Sequence, residues 1–236
     1  MESILKSGLA AMEIPAQPRQ IELLVRYGEA VLERNQVMNL TAVRERSAFA
    51  RRNILDSAAL LRWLEPGTES LIDVGTGAGL PGMVLKILRP DLRLTLLDAT
   101  GKKIEFLRET AAALGLENVR CVQGRGEELG HDPAFREQFD AAAARAVAAM
   151  TLLAELTLPF LRVGGRLLAM KAEDCEAELA AALPLLQRLG GEPLPAVTYT
   201  LPEDDAVRRV VRVEKRAATP ALYPRTWAKM KKSARS

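Results

Sequence analysis

Histidine, cysteine and aromatic side chains are scarce in this chain of 236 residues, and each scarcity removes a class of function. His131 is the only histidine, so a zinc site or catalytic dyad built on several histidines is excluded by counting. Cys121 and Cys175 lie far apart and build no disulfide framework; a reducing cytoplasm is the simplest home for them. Aromatic residues make up 4%, so no stacking platform for single-stranded nucleic acid is evident. No apolar run reaches the length of a membrane span. The start, MESILKSGLA, lacks the apolar core and cleavage site of a secretory signal. A cytoplasmic protein without membrane or metal is the expectation.

What is present is ordinary in amount and uneven in placement. Hydrophobic residues are 48% and charged residues 27%, values of a globular chain able to bury a sizeable core. The net charge of +3 conceals an asymmetry: residues 206–236 hold ten Lys/Arg against Glu214 alone, so that segment is +9 and the remainder −6. A polyanionic partner and a solvated tail that aids solubility both account for it.

Three regions follow one another. Residues 1–66 read as helical. Ile21, Leu24, Val25, Tyr27 (less regularly), Val31 and Leu32 approximate a helical stripe. Asn39-Leu40-Thr41 marks a boundary, and a second helix runs from Arg51 to Leu64 before Pro66-Gly67. From Ser70 strands and helices alternate. Strands are expected at 71–74, 94–98, 119–122, 139–144 and 166–170. Helices are expected at 80–88, 101–114, 150–161 and 173–189, the last two leaving through Gly164-Gly165 and Gly190-Gly191. A closing pair of strands, 197–201 and 207–213, surrounds the turn at 202–205. Such alternation gives crossover connections, hence an α/β fold with a doubly wound, mostly parallel sheet of seven strands, the last pair antiparallel. The expected boundaries are 1–66 for a helical extension, 67–216 for the sheet domain and 217–236 for a basic tail, a mobile arm from Arg225 onward.

The chemistry begins at Asp73-Val74-Gly75-Thr76-Gly77-Ala78-Gly79-Leu80-Pro81-Gly82, between the first strand and its helix. Ligands of doubly wound sheets bind there, and glycines let them approach the backbone. Two cofactors compete. Gly77, Gly79 and Gly82 satisfy the G-x-G-x-x-G spacing of dinucleotide sites. Gly75, Gly77 and Gly79 satisfy the tighter G-x-G-x-G of S-adenosylmethionine enzymes. Asp73 tips the balance, because an acid beside the glycines suits the amine of S-adenosylmethionine and repels a pyrophosphate. Asp98, ending the second strand, can accept both ribose hydroxyls of either cofactor. In Gly124-Arg125-Gly126-Glu127-Glu128 an acid or backbone carbonyl can accept from the adenine amine, although acids at a helix start need no ligand to account for them.

The chain resembles the bacterial small-subunit ribosomal RNA N7-guanosine methyltransferases, the glucose-inhibited division protein B family. The resemblance rests on Asn39-Leu40-Thr41, Ile54-Leu55-Asp56-Ser57, the loop from Asp73 to Gly82, and Leu97-Asp98 with Lys102-Lys103 and Phe106-Leu107. It continues through Arg125-Gly126-Glu127-Glu128, Arg145-Ala146, Gly164-Gly165-Arg166 through Lys171, and Tyr223-Pro224-Arg225. It implies a Rossmann-like methyltransferase fold and S-adenosylmethionine as cofactor. The implied partner is small-subunit ribosomal RNA or a ribosomal particle, met by a monomer. It also implies a cofactor site at Gly75, Leu80, Asp98, Ala99, Thr100, Gly126, Glu127 and Arg145, to which the loop adds Asp73, Gly77 and Gly79. Asn53 stands where many members carry histidine, Gly126 where alanine or valine is common, and the tail lacks the usual Pro/Gly-rich ending.

The residues themselves agree with that chemistry. Guanine N7 carries an exposed lone pair and attacks a sulfonium methyl without losing a proton, so positioning suffices and no general base is required. The Asp/Asn-Pro-Pro-aromatic motif of exocyclic-amine methylation is missing from Ala141-Ala142-Ala143-Ala144-Arg145-Ala146. Cys121 falls inside a strand and Cys175 lacks a Pro-Cys or Thr-Cys context, so neither is a candidate thiolate for cytosine C5 chemistry. Arg145, at a strand end facing the pocket, is the candidate catalytic residue. It either orients the target nucleotide through phosphate or a guanine edge or pairs with an acid such as Asp73 or Glu127. Candidate RNA contacts are Arg52, Lys171, Arg225, Lys229, Lys231 and Lys232. Arg208 and Arg212 are expected on the solvent face of their strand. His131 is expected to be inert.

Overall fold

The apolar stripe at the start of the chain and the short buried runs after Ser70 fold against one another. The structure is a computed structural model and describes residues 1–145, 148–172 and 175–233. Helix α1 (Glu2–Ala11) leads into α2 (Pro18–Arg34), which Pro18 opens at its first turn. Ile21, Leu24, Tyr27 and Val31 form the buried face of α2; Val25 and Leu32 are only partly buried. The boundary at Asn39-Leu40-Thr41 is built by Asn35, whose Oδ1 accepts from the Leu40 and Thr41 amides.

The second helical stretch starts at Arg46, earlier than expected. The Glu45 carboxylate caps it by accepting from the Ser47 and Ala48 amides at 2.8 and 2.7 Å. Glutamate is not among the favoured capping residues, so no start signal is legible there. The stretch is not one regular helix. Helix α3 (Arg46–Phe49) passes into a wider π turn (Ala50–Leu55), then α4 (Asp56–Ala59) and a tighter 3-10 turn (Leu60–Trp63). The π turn carries Arg52 and Asn53.

The sheet comprises β1 (Ser70–Val74), β2 (Arg93–Asp98), β3 (Val119–Gln123), β4 (Phe139–Arg145), β5 (Leu161–Ala172), β6 (Gly191–Pro193), β7 (Val197–Leu201) and β8 (Asp204–Lys215). Its order is β3-β2-β1-β4-β5-β8-β6, with β7 also paired to β8. Strands β1 to β5 are parallel, and β8 runs antiparallel to β5, β6 and β7. The eighth strand is a correction to the expected seven. β6 is three residues of Gly-Glu-Pro, a composition that reads as a loop and pairs only because β8 offers a free edge. β5 also begins before the Gly164-Gly165 exit expected of the preceding helix.

The helices are α5 (Gly82–Leu88), α6 (Gly101–Ala113), α7 (Gly126–Leu129), α8 (Met150–Thr157), α9 (Glu176–Arg188) and α10 (Trp227–Ser233). Glu173, the expected start of α9, lies outside the described residues, as do Ala146 and Arg235. Side-chain alternation splits the core across the sheet. Leu71, Ala141 and Ala143 face α2 and α5; Ile72, Ala142 and Ala144 face α8 and α9. The alanine run of β4 thus serves both faces. The expected mobile arm is instead helix α10: Trp227 and Met230, three residues apart, pack against the second cluster, and Met230 is buried. Among the described residues no helix is long and apolar enough to cross a membrane.

Candidate active site

The carboxyl ends of β1, β2 and β4 converge on the glycine loop. Gly75, Gly77 and Gly79 take φ of 69°, 59° and 96°, a region side chains disfavour, and so turn the chain back over the sheet. The Gly75 and Thr76 amides donate to the Leu97 carbonyl of β2 at 2.8 and 3.0 Å. From the other side Tyr27 of α2 donates its hydroxyl to the Ala78 carbonyl at 2.9 Å. Tyr27, the less regular member of the stripe as read from the sequence, stands in register on the buried face, three residues after Leu24 and four before Val31, and its hydroxyl pins the loop.

Asp73 is fully buried beneath this loop. Its Oδ2 accepts from Thr76 Oγ1 at 2.7 Å and from the Gly82 amide at 2.8 Å. Its Oδ1 is buried with no partner. Burial pushes the carboxyl up to about 6, against the hydrogen bonds from Thr76 and Gly82 that pull it down. A Cβ on Gly82 would come within 2.8 Å of Asp73 Oδ2, so the glycine there gives the carboxylate its room.

Asp98 ends β2. Its Oδ2 accepts from the Gly77 amide at 3.0 Å, and its Oδ1 accepts from the Thr100 amide at 2.8 Å. Lys103 Nζ lies 3.9 Å from Oδ2. Asp98 therefore joins the glycine loop to the start of α6, with Ala99 and Thr100 exposed between them. Gly126 opens α7 with Glu127, which Arg125 Nε holds at 2.6 Å. Leu80 is buried in the loop. The structure so brings Asp73, Gly75, Gly77, Gly79, Leu80 and Asp98 around the ends of β1 and β2.

Arg145 ends β4. Its Nη1 lies 3.5 Å from Asp56 Oδ2 and donates to the Arg52 carbonyl at 3.3 Å. Its acidic partner is thus Asp56 rather than Asp73 or Glu127. In the sequence Asp56 stands in Ile54-Leu55-Asp56-Ser57, which by itself assigns it no task. Asp56 is 8% exposed. It also accepts from Tyr199 Oη at 2.8 Å and meets Arg208 Nε at 3.1 Å. Burial raises its carboxyl above the usual range, opposed first by the Arg145 guanidinium.

The basic candidates divide. Arg52 is exposed on the π turn. Lys171 is turned inward, 2.5 Å from Glu178 and 2.7 Å from the Ala148 carbonyl. Arg225 clamps Glu155, a carboxylate 1% exposed, through Nε at 2.9 Å and Nη2 at 2.8 Å. Lys229, Lys231 and Lys232 lie exposed on α10, where Lys231 sits over the Trp227 ring at 5.3 Å. Two expectations for β8 need correction. Arg208 shares a face with Arg212 as alternation requires, but it is drawn inward onto Asp56 and Asp204. Lys215, counted in the basic segment 206–236, is fully buried. It donates to the Leu158 carbonyl at 2.7 Å, and burial lowers it to about 8. His131 Nε2 donates to the Pro224 carbonyl at 2.7 Å.

With this geometry in place, the comparisons with known proteins converge. The family model described as rRNA small subunit methyltransferase G matches residues 20–203. A ribosomal RNA small subunit methyltransferase G from Moorella thermoacetica is 42% identical over 90% of this chain and 89% of its own length. Its namesake from Chloroflexus aggregans is 43% identical over 95% and 94%. Among solved structures, one described as a putative O-methyltransferase from Klebsiella pneumoniae superposes with a TM-score of 0.55 at 14% identity. That match covers 91% of this chain and 97% of the other, and supports the fold.

Proposed function

This chain belongs to the rRNA small subunit methyltransferase G family, and from that premise we propose that it methylates N7 of a guanosine in small-subunit ribosomal RNA. Asp73 is the observation that carries the reading. A buried carboxylate oxygen without a donor, under a glycine loop, fits an ammonium group. The donor set therefore fits S-adenosylmethionine: Asp73 for the amine, the backbone around Gly75, Gly77 and Gly79 for close approach, Asp98 for the ribose hydroxyls, and Gly126 and Glu127 beside the adenine. The cofactor supplies an electrophilic methyl group.

The protein's part is to bind, orient and exclude water. Guanine N7 presents its lone pair in the plane of the base and gives up no proton, so no side chain acts as base. Arg145 orients the target nucleotide through its phosphate or guanine edge. Residues 67–216 form the catalytic unit, 1–66 an extension that braces it, and 217–236 a basic segment carrying Lys229, Lys231 and Lys232 toward RNA phosphates. The enzyme works as a cytoplasmic monomer on ribosomal RNA or on a ribosomal particle.

Mass mapping of small-subunit ribosomal RNA from cells with and without the protein tests the reading, together with transfer from labelled S-adenosylmethionine by the purified chain. Loss of one N7-methylguanosine, restored in vitro, is the expected result. An unchanged methylation map overturns the assignment.

A further inference from the structure

Asp56 stands where three segments meet. It comes from the helical extension, Arg145 from the end of β4, and Tyr199 and Arg208 from the β7–β8 hairpin. Each carboxylate oxygen has its own duty. Oδ2 faces Arg145 Nη1 at 3.5 Å, while Oδ1 takes Tyr199 Oη at 2.8 Å and Arg208 Nε at 3.1 Å. Arg208 is braced in turn by Asp204 at 2.7 Å. A carboxylate held so firmly from one side presents a fixed negative oxygen on the other. The Arg52 carbonyl, 3.3 Å from the same Nη1, completes the seat.

This arrangement has a consequence for Asp73. Arg145 acts electrostatically on both Asp56 and Asp73, yet of these two it forms its ion pair with Asp56. A guanidinium free to swing would be drawn to the unpartnered Asp73 oxygen. Seated on Asp56, it stays at the rim with part of its surface exposed, and Asp73 stays available.

We propose that Asp56 is a positioning residue: it holds the Arg145 guanidinium at the rim of the pocket for the target nucleotide, and the β7–β8 hairpin fixes Asp56 through Tyr199 and Arg208. The proposal rests on the methyltransferase reading above. It extends that reading by assigning to the extension and the hairpin a shared part in substrate orientation.

A double-mutant cycle in the full chain tests it. Asp56→Asn keeps the size of the side chain and removes its charge. Single-turnover methyl transfer to small-subunit ribosomal RNA at saturating S-adenosylmethionine should slow by ten-fold or more. The Kd for S-adenosylmethionine by calorimetry should stay within two-fold. In an Arg145→Ala background the same change should slow the reaction less than two-fold, because the group Asp56 acts through is gone. Nitrogen-15 NMR of the arginine side chains gives a readout free of activity: the Arg145 signal should be sharp in the wild type and broadened in Asp56→Asn. Tyr199→Phe, which removes one hydrogen bond, provides a second cycle if Asp56→Asn folds poorly. It should slow transfer about three-fold alone and not at all with Arg145→Ala. Equal effects in both backgrounds, or a wild-type rate in Asp56→Asn, overturn the proposal. A wild-type chain that methylates no ribosomal RNA refutes the functional reading instead, and the NMR comparison then still decides whether Asp56 seats Arg145.

Discussion

Asp73 makes the folded protein pay at neutral pH for a site it needs, and the size of that effect can be worked out. Its carboxyl stands at 3.8 in the unfolded chain and is pushed to about 6 by burial in the fold. The folded state therefore holds the proton more tightly than the unfolded state. The contribution of this group to stability is fully present below pH 4, is lost as pH rises through 6, and stays lost above it. Two units correspond to about 3 kcal/mol. Asp73→Asn cannot ionise and retains an oxygen for the Thr76 hydroxyl and the Gly82 amide. Its stability should lack that component, so the wild-type and variant curves should diverge between pH 4 and 6.5, the variant gaining on the wild type. For a chain of this length the relative gain corresponds to roughly 6–12 °C in Tm. Thermal melts of both proteins without ligand, across that pH range, measure the difference and cancel the titration of every other group. The same variant should lose most of its affinity for S-adenosylmethionine at pH 7.5, because a neutral amide cannot pair with an ammonium. Parallel melting curves across the pH range, or undiminished affinity, would refute the account of Asp73 as a carboxylate kept desolvated for a cation.

Three further outcomes follow from the geometry. Asp98→Ala should weaken S-adenosylmethionine binding by about 1–3 kcal/mol in calorimetry, through lost charge-assisted hydrogen bonds; unchanged affinity would remove Asp98 from the ribose site. Arg225→Ala leaves the Glu155 carboxylate buried with its backbone donor alone, so it should cost about 3 kcal/mol of stability by denaturant titration. A fall in RNA affinity with wild-type stability would instead return Arg225 to the RNA contacts. Replacing Lys229, Lys231 and Lys232 together with alanine should flatten the salt dependence of RNA binding by up to about three units, one per phosphate touched; a wild-type slope would leave α10 a structural helix.

The parallel sheet was legible because its signals are local. Short runs followed within three residues by glycine mark β1, β2 and β3, an alanine run marks β4, and an acid at or next to the end of β1 and β2 marks the ligand end of each. The glycine loop was legible for the same reason, since its glycines stand side by side in the sequence, although Leu97, Asp98 and Tyr27 hold its conformation from other elements. What escaped were features settled by distant partners. β6 exists because β8 has an edge to fill. Arg208 reads as a solvent-facing arginine until Asp56, far away in sequence, is placed beside it. Arg225 and Lys215 read as cations of the basic segment 206–236 until Glu155 and the Leu158 carbonyl claim them. Positive charge in a segment says how many cations it holds, and nothing of which ones the fold consumes.

The helical extension shows the same dependence from the other side. Residues 1–66 read as a separate unit because their periodicity is helical and that of the following residues alternates. Many contacts cross the line, and some of them reach the candidate site itself. Gln20 donates to the Ile87 and Leu88 carbonyls at the end of α5, Tyr27 donates to Ala78 within the glycine loop, and Asp56 meets Arg145 at the end of β4. A hydrogen bond to a loop carbonyl biases the loop toward one conformation, and a loop of three positive-φ glycines has many others to lose. The extension therefore acts on both sides of the candidate site: it narrows the states of the loop backbone through Tyr27 and of the arginine through Asp56. The helical segment is thus packed where the glycine loop and Arg145, the arginine proposed to orient the substrate, both come within its reach.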